Sequence, residues 1–404
     1  MSHSSRTLFV LFATLFIDMI GIGMVFPIVP IIFTDPSSPS FLLAGHPESS
    51  WYIYAGLVTA LFGLMQFFAA PLLGELSDIY GRKKLLLIGI GILAVSQALF
   101  GFAIQIGSLA LVLFSRIVAG IAGGNFSIAQ AVIADVSTPQ DRAKNFGLMG
   151  AAFGLGFIVG PVLSGWIAAQ TASAAAPFWV ASMLGMFNVI SVALFLPETR
   201  THIREHAHHF SLLKGVRDLQ HAISDKVLRP YYSINFLYYT GFAFFTSTIG
   251  LLLVSRFSFD EAAIGIFFGF VGLWVVITQG FILRVISGKF TDRILLLTTM
   301  PLVGVSVFAF ALVPQAVLLY AVIPLMAIPQ GISMANLTAI LSKHVSAESQ
   351  GRVMGINGSL SAFSQGAIPL VAGFMAAAIS IPATLVAGSL FFFIAWWVLY
   401  THEK

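Results

Sequence analysis

The sequence predicts an all-α membrane protein in which twelve transmembrane helices form two pseudo-symmetric six-helix bundles. Three observations predict this fold: the composition, the number of long apolar runs, and a repeated pair of motifs. Of the 404 residues, 58% are hydrophobic and only 9% are charged, whereas a soluble domain carries roughly 25% charged residues. Because so few charges cannot cover a soluble fold, most of the surface must face lipid.

The charge and the cysteine content exclude several functions. The formal net charge is +4, but the basic residues stand in short loops rather than on one face, which argues against nucleic-acid binding. The chain has no cysteine, so disulfides, thiolate catalysis and cysteine-bound metal centres are excluded. It also lacks a nucleotide-binding glycine loop, and no histidine lies in an apolar run. We therefore expect neither an enzyme nor a bound cofactor or metal.

Apolar runs of about 20 residues are long enough to cross a bilayer as helices. The sequence contains twelve such runs, which we number as spans 1 to 12. They cover Leu8–Phe33, Trp51–Leu73, Leu85–Gln105, Ser108–Ala134, Asn145–Ala169, Pro177–Leu196, Tyr231–Ser255, Ala262–Ile286, Leu295–Val313, Val317–Leu341, Val353–Ala378 and Pro382–Tyr400.

The distribution of Lys and Arg predicts the orientation of the spans. Cytoplasmic loops of membrane proteins carry an excess of these residues. If both termini are cytoplasmic, Arg116 lies within a span, Arg256 lies outside, and every other Lys and Arg lies inside. An even number of spans agrees with this bias. The sequence therefore predicts that both termini face the cytoplasm.

A long loop between spans 6 and 7 divides the chain. We expect a first bundle at residues 1–198, a cytoplasmic linker at residues 199–229 and a second bundle at residues 230–404. Five apolar residues of the linker predict a short amphipathic helix on the inner membrane surface. They are Leu212, Leu213, Val216, Leu219 and Ile223.

The same linker holds a cluster of four histidines, His202, His206, His208 and His209. His202 and His206 are four positions apart and could ligate a metal on one face of a helix. The alternative, which we favour, is a solvated linker.

Two motifs occur once in each half. Gly74 and Asp78 enclose three residues after span 2, and Gly288 and Asp292 do the same after span 8, 214 positions later. A second polar segment follows span 4 and recurs after span 10. The nearly equal offsets indicate two bundles of one plan. Secondary transporters are often built in this way, with a substrate site near the midplane between the repeats.

Asp18 and Arg116 are the ionisable side chains that the spans place deep in the membrane. At 1.5 Å per residue, Asp18 lies about 15 Å from the inner end of span 1, and Arg116 lies about 12 Å from the outer end of span 4. The two depths are similar, so the side chains can meet if the spans are neighbours. Charges at this depth cost roughly 2.5–3.5 kcal/mol and are functional by default. We expect Asp18 to carry a proton, with Arg116 as its fixed counter-charge or as an anion anchor; the alternative is an ion pair that only holds spans 1 and 4 together.

The segment Gly74-Glu-Leu-Ser-Asp-Ile-Tyr-Gly-Arg-Lys-Lys84 resembles the signature loop of the major facilitator superfamily. The resemblance implies the major facilitator fold and a cytoplasmic gate that holds the outward-open state. We expect Asp78 to sit at the N-terminus of span 11 and Arg82 to pair with Asp135. The members of this predicted gate are Gly74, Asp78, Arg82, Asp135, Gly288 and Asp292. Without such a gate, Arg82 and its two neighbouring lysines would only set the orientation of the chain.

Span 5 resembles the helix-5 motif of twelve-helix drug:proton antiporters. The residues that carry this resemblance are Gly147, Gly156, Gly160, Pro161 and Gly165. We expect them to form a close, deformable contact with span 8 or another partner; ordinary tight packing between membrane helices is the alternative.

The whole chain is similar to the tetracycline-efflux-like group, most densely over residues 10–165, which include the segment from Asp18 to Pro30. Two differences stand out. In span 3, Ser96 stands near the place where members of that group resemble one another in carrying an acidic residue. In addition, spans 8 and 9 contain no His or Asp. These differences argue against a metal–tetracycline complex as substrate.

Polar and aromatic residues at mid-depth predict the lining of a cavity for a medium-sized organic molecule. Each could instead be a packing residue or an interhelical hydrogen bond. The candidates are Phe26, Asn125, Asn235, Tyr239, Gln330, Asn336, Asn357 and Gln365.

The sequence thus predicts a proton-coupled secondary transporter that works by alternating access, as an antiporter that exports a drug-like compound, a metabolite or a siderophore. The alternatives are a proton-coupled importer and a non-transporting scaffold or receptor. Its expected partners are a small organic substrate, protons and the lipid bilayer. We expect a monomer in a plasma membrane, the inner membrane of a bacterium, that is driven by the proton gradient. Arg116 would suit an anionic substrate and Asp18 a cationic one, so the substrate's charge stays open.

Overall fold

The computed structural model of the chain describes residues 3–137, 141–200, 213–286, 288–345 and 350–402. All twelve predicted spans are helices that are long and apolar enough to cross a membrane. Span 1 is α1 (His3–Gly23) with α2 (Val25–Thr34); span 2 is α3 (Glu48–Tyr80); span 3 is α4 (Arg82–Gln105); span 4 is α5 (Leu109–Ala122) with α6 (Asn125–Val136); span 5 is α7 (Arg142–Thr171); span 6 is α8 (Ala176–Phe195); α9 (Lys214–Ser224) belongs to the linker; span 7 is α10 (Arg229–Phe257); span 8 is α11 (Glu261–Ile277), a π-helical turn (Thr278–Ile282) and α12 (Leu283–Ile286); span 9 is α13 (Asp292–Leu312); span 10 is α14 (Ala316–Lys343); span 11 is α15 (Gln350–Ala378); span 12 is α16 (Ile381–His402).

Packing follows the two halves of the chain. In the first half, span 1 packs on spans 5 and 6, span 3 on spans 4 and 6, and span 2 on span 4. In the second half, span 7 packs on spans 11 and 12, and span 9 on spans 10 and 12. Spans 2 and 11, and spans 5 and 8, make the main contacts between the halves. The chain is therefore arranged as two six-helix bundles that meet along two helix pairs.

Two of the spans in the first bundle are interrupted. Span 4 breaks between α5 and α6 at Gly123 and Gly124, and span 1 breaks at Met24. At Gly124 a Cβ would lie 2.5 Å from the side chain of Leu73, so a larger residue would not fit against span 2. Discontinuous helices of this kind bring backbone polar groups to mid-depth, where transporters place their sites.

The bundles touch at the end of the molecule that lies away from the termini. A Cβ at Gly63 of span 2 would lie 2.6 Å from the backbone of Gln365 in span 11, and one at Gly165 of span 5 would overlap the backbone of Glu261 in span 8. Glycine lets helix backbones approach this closely. These contacts close the interface over that half of the molecule.

The bundles separate towards the end that carries both termini. In span 5, Gly154 lies eleven residues before Gly165, and in span 11, Gly355 lies eleven residues before Gly366. Eleven residues are about three helical turns, so the two glycines of each span lie on the same helix face. A Cβ at Gly366 would meet the backbone of span 2, yet a Cβ at Gly154 or Gly355 would have no described atom within 4 Å beyond the neighbouring backbone of its own helix. The faces that touch at one end are therefore open at the other.

The predicted linker helix is present as α9, and the sequence did not indicate where it would dock. Lys214 forms a 2.6 Å ion pair with Glu75 of span 2, and the hydroxyl of Ser359 in span 11 donates to Asp218 at 2.9 Å. Gly215 packs on Phe67. α9 thus joins the separated parts of spans 2 and 11. The histidine cluster at residues 202–209 lies outside the described residues.

Candidate functional site

Asp18 lies inside the first bundle and is only 5% exposed. Its carboxylate accepts hydrogen bonds from the side-chain amides of Asn125 at 3.3 Å and Asn188 at 3.4 Å. These amides come from α6 and from span 6, so three helices surround the acid. Burial favours the protonated carboxyl, and two donors favour the carboxylate. The surroundings can therefore support both protonation states.

Arg116 is 4% exposed and is held by neutral groups. Its guanidinium donates to the side-chain oxygen of Gln97 at 3.4 Å and lies 4.1 Å from the centre of the Phe100 ring. The buried Nε has no hydrogen-bond partner in the part of the chain that the structure describes. A cation over an aromatic ring is attracted more strongly when it is desolvated, so Phe100 helps to hold this charge in an apolar site.

Asp18 and Arg116 do not form an ion pair, although their similar depths allowed one. Gln97 links their surroundings instead, because its amide also donates to the backbone oxygen of Gly21 at 2.9 Å. Gly21 lies one helical turn beyond Asp18 in span 1. The two charges are therefore separately solvated by amides and an aromatic ring, and neither is neutralised by the other.

The residues of the predicted gate in the first bundle form one network around Arg82. Gly81 adopts a φ of +93°, a value that glycine tolerates well, and this turn starts span 3 at Arg82. The guanidinium contacts Asp78 at 2.5 Å, Asp135 at 3.2 Å and the hydroxyl of Ser77 at 2.6 Å. The predicted pair of Arg82 and Asp135 is thus present.

Asp78 contacts Arg82 and, at 4.0 Å, Arg200. The structure therefore places it within the first bundle rather than at the N-terminus of span 11, where we expected it. This arrangement agrees with the separation of spans 2 and 11 at that end. Gly74 packs next to Ser127 of α6, also in the first bundle.

The second copy of the motif makes a smaller network. Gly288 has a φ of +82° and forms the turn between spans 8 and 9. Asp292 pairs with Lys343 at the end of span 10, at 2.5 Å. Each copy of the motif therefore binds a cation of its own bundle.

The span 5 motif contacts two different helices. Gly156 packs on Met19, and Gly160 packs on Ile20 and Gly23, all in span 1. Only the outer part of the motif packs on span 8, where Gly165 and Pro161 approach its backbone. Gly147 lies in the same helix, α7. Our expectation of a contact with span 8 therefore holds for one end of the motif, and the middle packs on the helix that carries Asp18.

Two of the predicted cavity residues, Phe26 and Asn125, belong to the first bundle, and the other six belong to the second. Asn125 is a ligand of the Asp18 carboxylate, and the Phe26 ring lies 5.0 Å from that of Phe157 and 5.3 Å from that of Phe268. Gln365 is exposed and donates to Ser361 of its own helix.

The remaining candidates belong to the second bundle. Asn357 of span 11 donates to the Tyr239 hydroxyl of span 7 at 3.3 Å. Asn235 lies one turn before Tyr239. The side-chain oxygens of Asn235 and Asn357 are buried, and neither has a hydrogen-bond partner among the described residues. Gln330 and Asn336 of span 10 are buried, and Asn336 donates to the backbone oxygen of Ile332 in its own helix. The structure therefore brings Tyr239 and Asn357 together.

Three residues of the site were missed in the sequence: Gln97, Asn188 and Phe100. Gln97 and Asn188 are amides within apolar runs, and that signal could have found them. Nothing in the sequence distinguishes Phe100 from the other 37 of the 38 phenylalanines.

Known proteins resemble this chain over most of its length. The family model of the Major Facilitator Superfamily matches residues 11–369 and again residues 232–404. The class G tetracycline resistance protein of Vibrio anguillarum is 30% identical over 359 residues, which are 88% of this chain and 86% of that protein. The class C tetracycline resistance protein of Escherichia coli is 28% identical over 91% of this chain and 89% of that protein.

Two solved structures share the fold. The human organic anion transporter MFSD10 (TETRAN) has a TM-score of 0.75 and 24% identity and covers 98% of this chain and 99% of that chain. A bacterial homolog of the human lysosomal transporter Spinster, in an inward-facing and unoccupied conformation, has a TM-score of 0.73 and 15% identity and covers 99% of this chain and 96% of that chain.

Proposed function

Because the chain belongs to the major facilitator superfamily, a family of membrane transporters rather than enzymes, we propose that it is a proton-coupled antiporter that exports a small organic molecule. The observation that carries this proposal is the surroundings of Asp18: a buried carboxyl in a membrane span, held by two amides and paired with no cation among the described residues. An acid in this position can gain or lose a proton without breaking an ion pair.

Alternating access is supported by the contacts between the bundles. They touch at one end and are separated at the end that carries the termini. With both termini in the cytoplasm, as the Lys and Arg distribution predicts, this is an inward-open state. The interface can open at the other end if the glycine contacts of spans 2 and 11 and of spans 5 and 8 separate.

Coupling follows from the packing of span 5. Gly156 and Gly160 contact span 1 on either side of the turn that follows Asp18, while Gly165 contacts span 8. A rotation of the bundles that moves span 8 also pushes on span 5 through this contact. Span 5 in turn packs directly on span 1, the helix that carries Asp18. Access of water to Asp18, and therefore its protonation, changes with the conformation.

For the substrate we propose an organic molecule that contacts spans 7 and 11 of the second bundle. Tyr239, Asn357 and the unpaired side-chain oxygen of Asn235 offer hydrogen-bonding groups beside the aromatic rings of Phe236 and Phe363. The relatives are named for tetracycline resistance and one solved structure for organic anion transport. Anionic and cationic molecules therefore both belong in the first screen.

We further propose that the protein works as a monomer in the inner membrane of a bacterium, with the proton gradient as its energy source and no cofactor. Asp18 and Arg116 are the coupling residues in this proposal. Arg82, Asp78 and Asp135 form the cytoplasmic gate in this proposal, and their contacts rearrange when the outward-open state forms.

The test is transport by the purified protein in proteoliposomes with imposed pH gradients of either sign. Two fluorescent dyes serve as probes, one with a carboxylate and one with a quaternary ammonium group. An antiporter moves dye against the direction of the imposed proton flow, and an ionophore that collapses the gradient stops it. Dye movement in the same direction as the protons would show an importer, and movement that ignores the gradient would contradict proton coupling.

A further inference from the structure

A cleft of about 360 Å³ lies where α9 meets the first turns of spans 7 and 11, on the terminal side of Asn235 and Asn357. His221, Ser224 and Asp225 line it from the end of α9, Tyr232 lines it from span 7, and Arg352 lines it from span 11. It lies in the second bundle, at the end that carries the termini. Nothing in the transport mechanism uses these residues.

The cleft contains two opposite charges that do not pair. Among the described residues, neither Asp225 nor Arg352 has an ion-pair partner within 4.0 Å. One oxygen of Asp225 accepts the backbone N–H groups of Val227 and Leu228, both at 3.0 Å, and the other stays free to bind. Arg352 is exposed. Asp218, an acid near enough to interact electrostatically with Arg352, already accepts the Ser359 hydroxyl.

The partial charges of the two helix ends have the same signs as the side chains of Asp225 and Arg352 beside them. Asp225 directly follows the C-terminus of α9, and Arg352 is the third residue of α15. A helix carries partial negative charge at its C-terminus and partial positive charge at its N-terminus. The cleft therefore has a negative side formed by α9 and Asp225 and a positive side formed by span 11 and Arg352.

Tyr232 supplies an independent sign of a missing ligand. Only 2% of the residue is exposed, and its hydroxyl has no hydrogen-bond partner among the residues that the structure describes. Asp225, Arg352 and Asp218 all lie near enough to act electrostatically on this hydroxyl, and Tyr232 lines the same cleft as Asp225 and Arg352. Buried hydroxyls are nearly always bonded, so an unpaired one in a cleft needs an explanation.

We propose that this cleft binds a small zwitterion. The anionic group of the ligand contacts Arg352 and the start of span 11, its ammonium contacts Asp225 and the end of α9, and the Tyr232 hydroxyl bonds to the anionic group. A simple anion would be repelled by Asp225, and a simple cation would be repelled by Arg352. The chemistry is shared by soluble molecules that carry an ammonium and a phosphate or carboxylate, and by the headgroups of zwitterionic lipids.

The test measures binding to the full-length protein in detergent by calorimetry. Phosphoethanolamine is the probe, with inorganic phosphate and ethanolamine as controls that each carry one of its two charges. We expect phosphoethanolamine to bind about tenfold more tightly than either control, since each charge contact contributes on the order of 1.5 kcal/mol. In nanodiscs, a rise of the unfolding temperature with phosphatidylethanolamine over phosphatidylglycerol, without binding of the soluble probe, would identify a lipid as the source.

Four variants decide whether the binding is at this cleft. Arg352→Gln and Asp225→Asn should each weaken binding about tenfold, and Tyr232→Phe about threefold. Asp225→Asn keeps a side-chain oxygen for the two backbone N–H groups, so the turn is retained. Lys226→Gln, an exposed neighbour that does not line the cleft, should bind as the wild type does. Unchanged affinity of both charge variants for the soluble probe or the lipid, equal binding of phosphate alone, or the absence of any binding would overturn the proposal.

Discussion

In the first bundle, Asp18 and Arg116 lie at mid-depth among amides and an aromatic ring. At the same depth of the second bundle, Tyr239 and Asn357 form a neutral hydrogen bond, and the described parts of spans 7 to 12 hold their charged residues only near helix ends. The two bundles share one plan of six helices, so this difference does not come from the fold. In the proposed mechanism, the first bundle handles the proton and the second binds a neutral part of the substrate.

The two copies of the gate motif also differ, and again the first bundle has the more strongly charged and more buried arrangement. Arg82 binds two carboxylates and a hydroxyl and is itself buried, whereas Asp292 binds one lysine whose side chain is 66% exposed. An exposed ion pair contributes little to stability. The first copy of the motif is therefore the one whose loss should matter.

We expect the largest effect from removing the Asp18 carboxylate of the first bundle. Asp18→Asn should reduce proton-driven transport by roughly 100-fold or more, because the amide cannot carry a proton. Folding should be preserved, since the new side-chain oxygen can accept from one of the two amides and the other amide can turn its own oxygen towards the new NH2 group. Transport in proteoliposomes under a pH gradient measures the loss. Asp35→Asn, an acid of the loop after span 1, is the matched control and should transport normally; normal pH-driven flux in Asp18→Asn would refute the assignment.

The second effect concerns the gate. Asp78→Asn should slow turnover roughly tenfold, because it removes a charge-assisted bond of about 1.5 kcal/mol from the Arg82 network. Asp292→Asn, its counterpart in the second bundle, should slow turnover much less. The absence of native cysteine allows a single reporter, Gly355→Cys, whose labelling by an impermeant maleimide measures opening towards the terminal end. Equal labelling in both variants and the parent would count against a gate at Asp78.

A third, smaller effect lies in the second bundle. Asn357→Ala should raise the KM for the transported dye roughly fivefold, the effect of one lost hydrogen bond of about 1 kcal/mol. Its pH dependence should stay that of the wild type, since no charge is changed. Thr338→Ala, an exposed residue of span 10, is the control for general damage to the bundle. A changed pH profile in Asn357→Ala would contradict the division of roles between the bundles.

The smallest effect concerns α9, which lies outside the spans. Burial raises the pKa of the Asp218 carboxyl from its ordinary value of 3.8. The folded protein therefore disfavours the charged form, so this group costs stability as the pH rises above that ordinary value, and the cost vanishes below it. Asp218→Asn should raise the unfolding temperature at pH 8 slightly, on the order of 1 °C. The gain should shrink as the pH falls towards 4.

Thermal unfolding at several pH values measures this effect. Ser359→Ala is the control with the opposite sign, because it removes the hydroxyl that supports the charged form and should lower the unfolding temperature at pH 8. A gain in Asp218→Asn that persisted unchanged at pH 4 would show that its cause is packing rather than charge.

The sequence by itself determined the number of spans, their two-fold repetition and the depth of Asp18 and Arg116. These properties are readable because a bilayer imposes one dimension, its thickness, and each span must satisfy it with its own residues. The pair of Arg82 and Asp135 was also predictable, since both residues lie at the same end of neighbouring spans.

Only the tertiary structure decided which side chains meet at a given depth. Asp18 bonds to Asn125 and Asn188, which are 107 and 170 positions away, and Arg116 turns to Gln97 and Phe100 instead of the acid. Depth follows from counting residues, but the rotation of each helix about its axis and the choice of its neighbours follow from how all twelve helices pack. For the same reason, the end at which the bundles separate and the place where α9 docks could not be read from any single span.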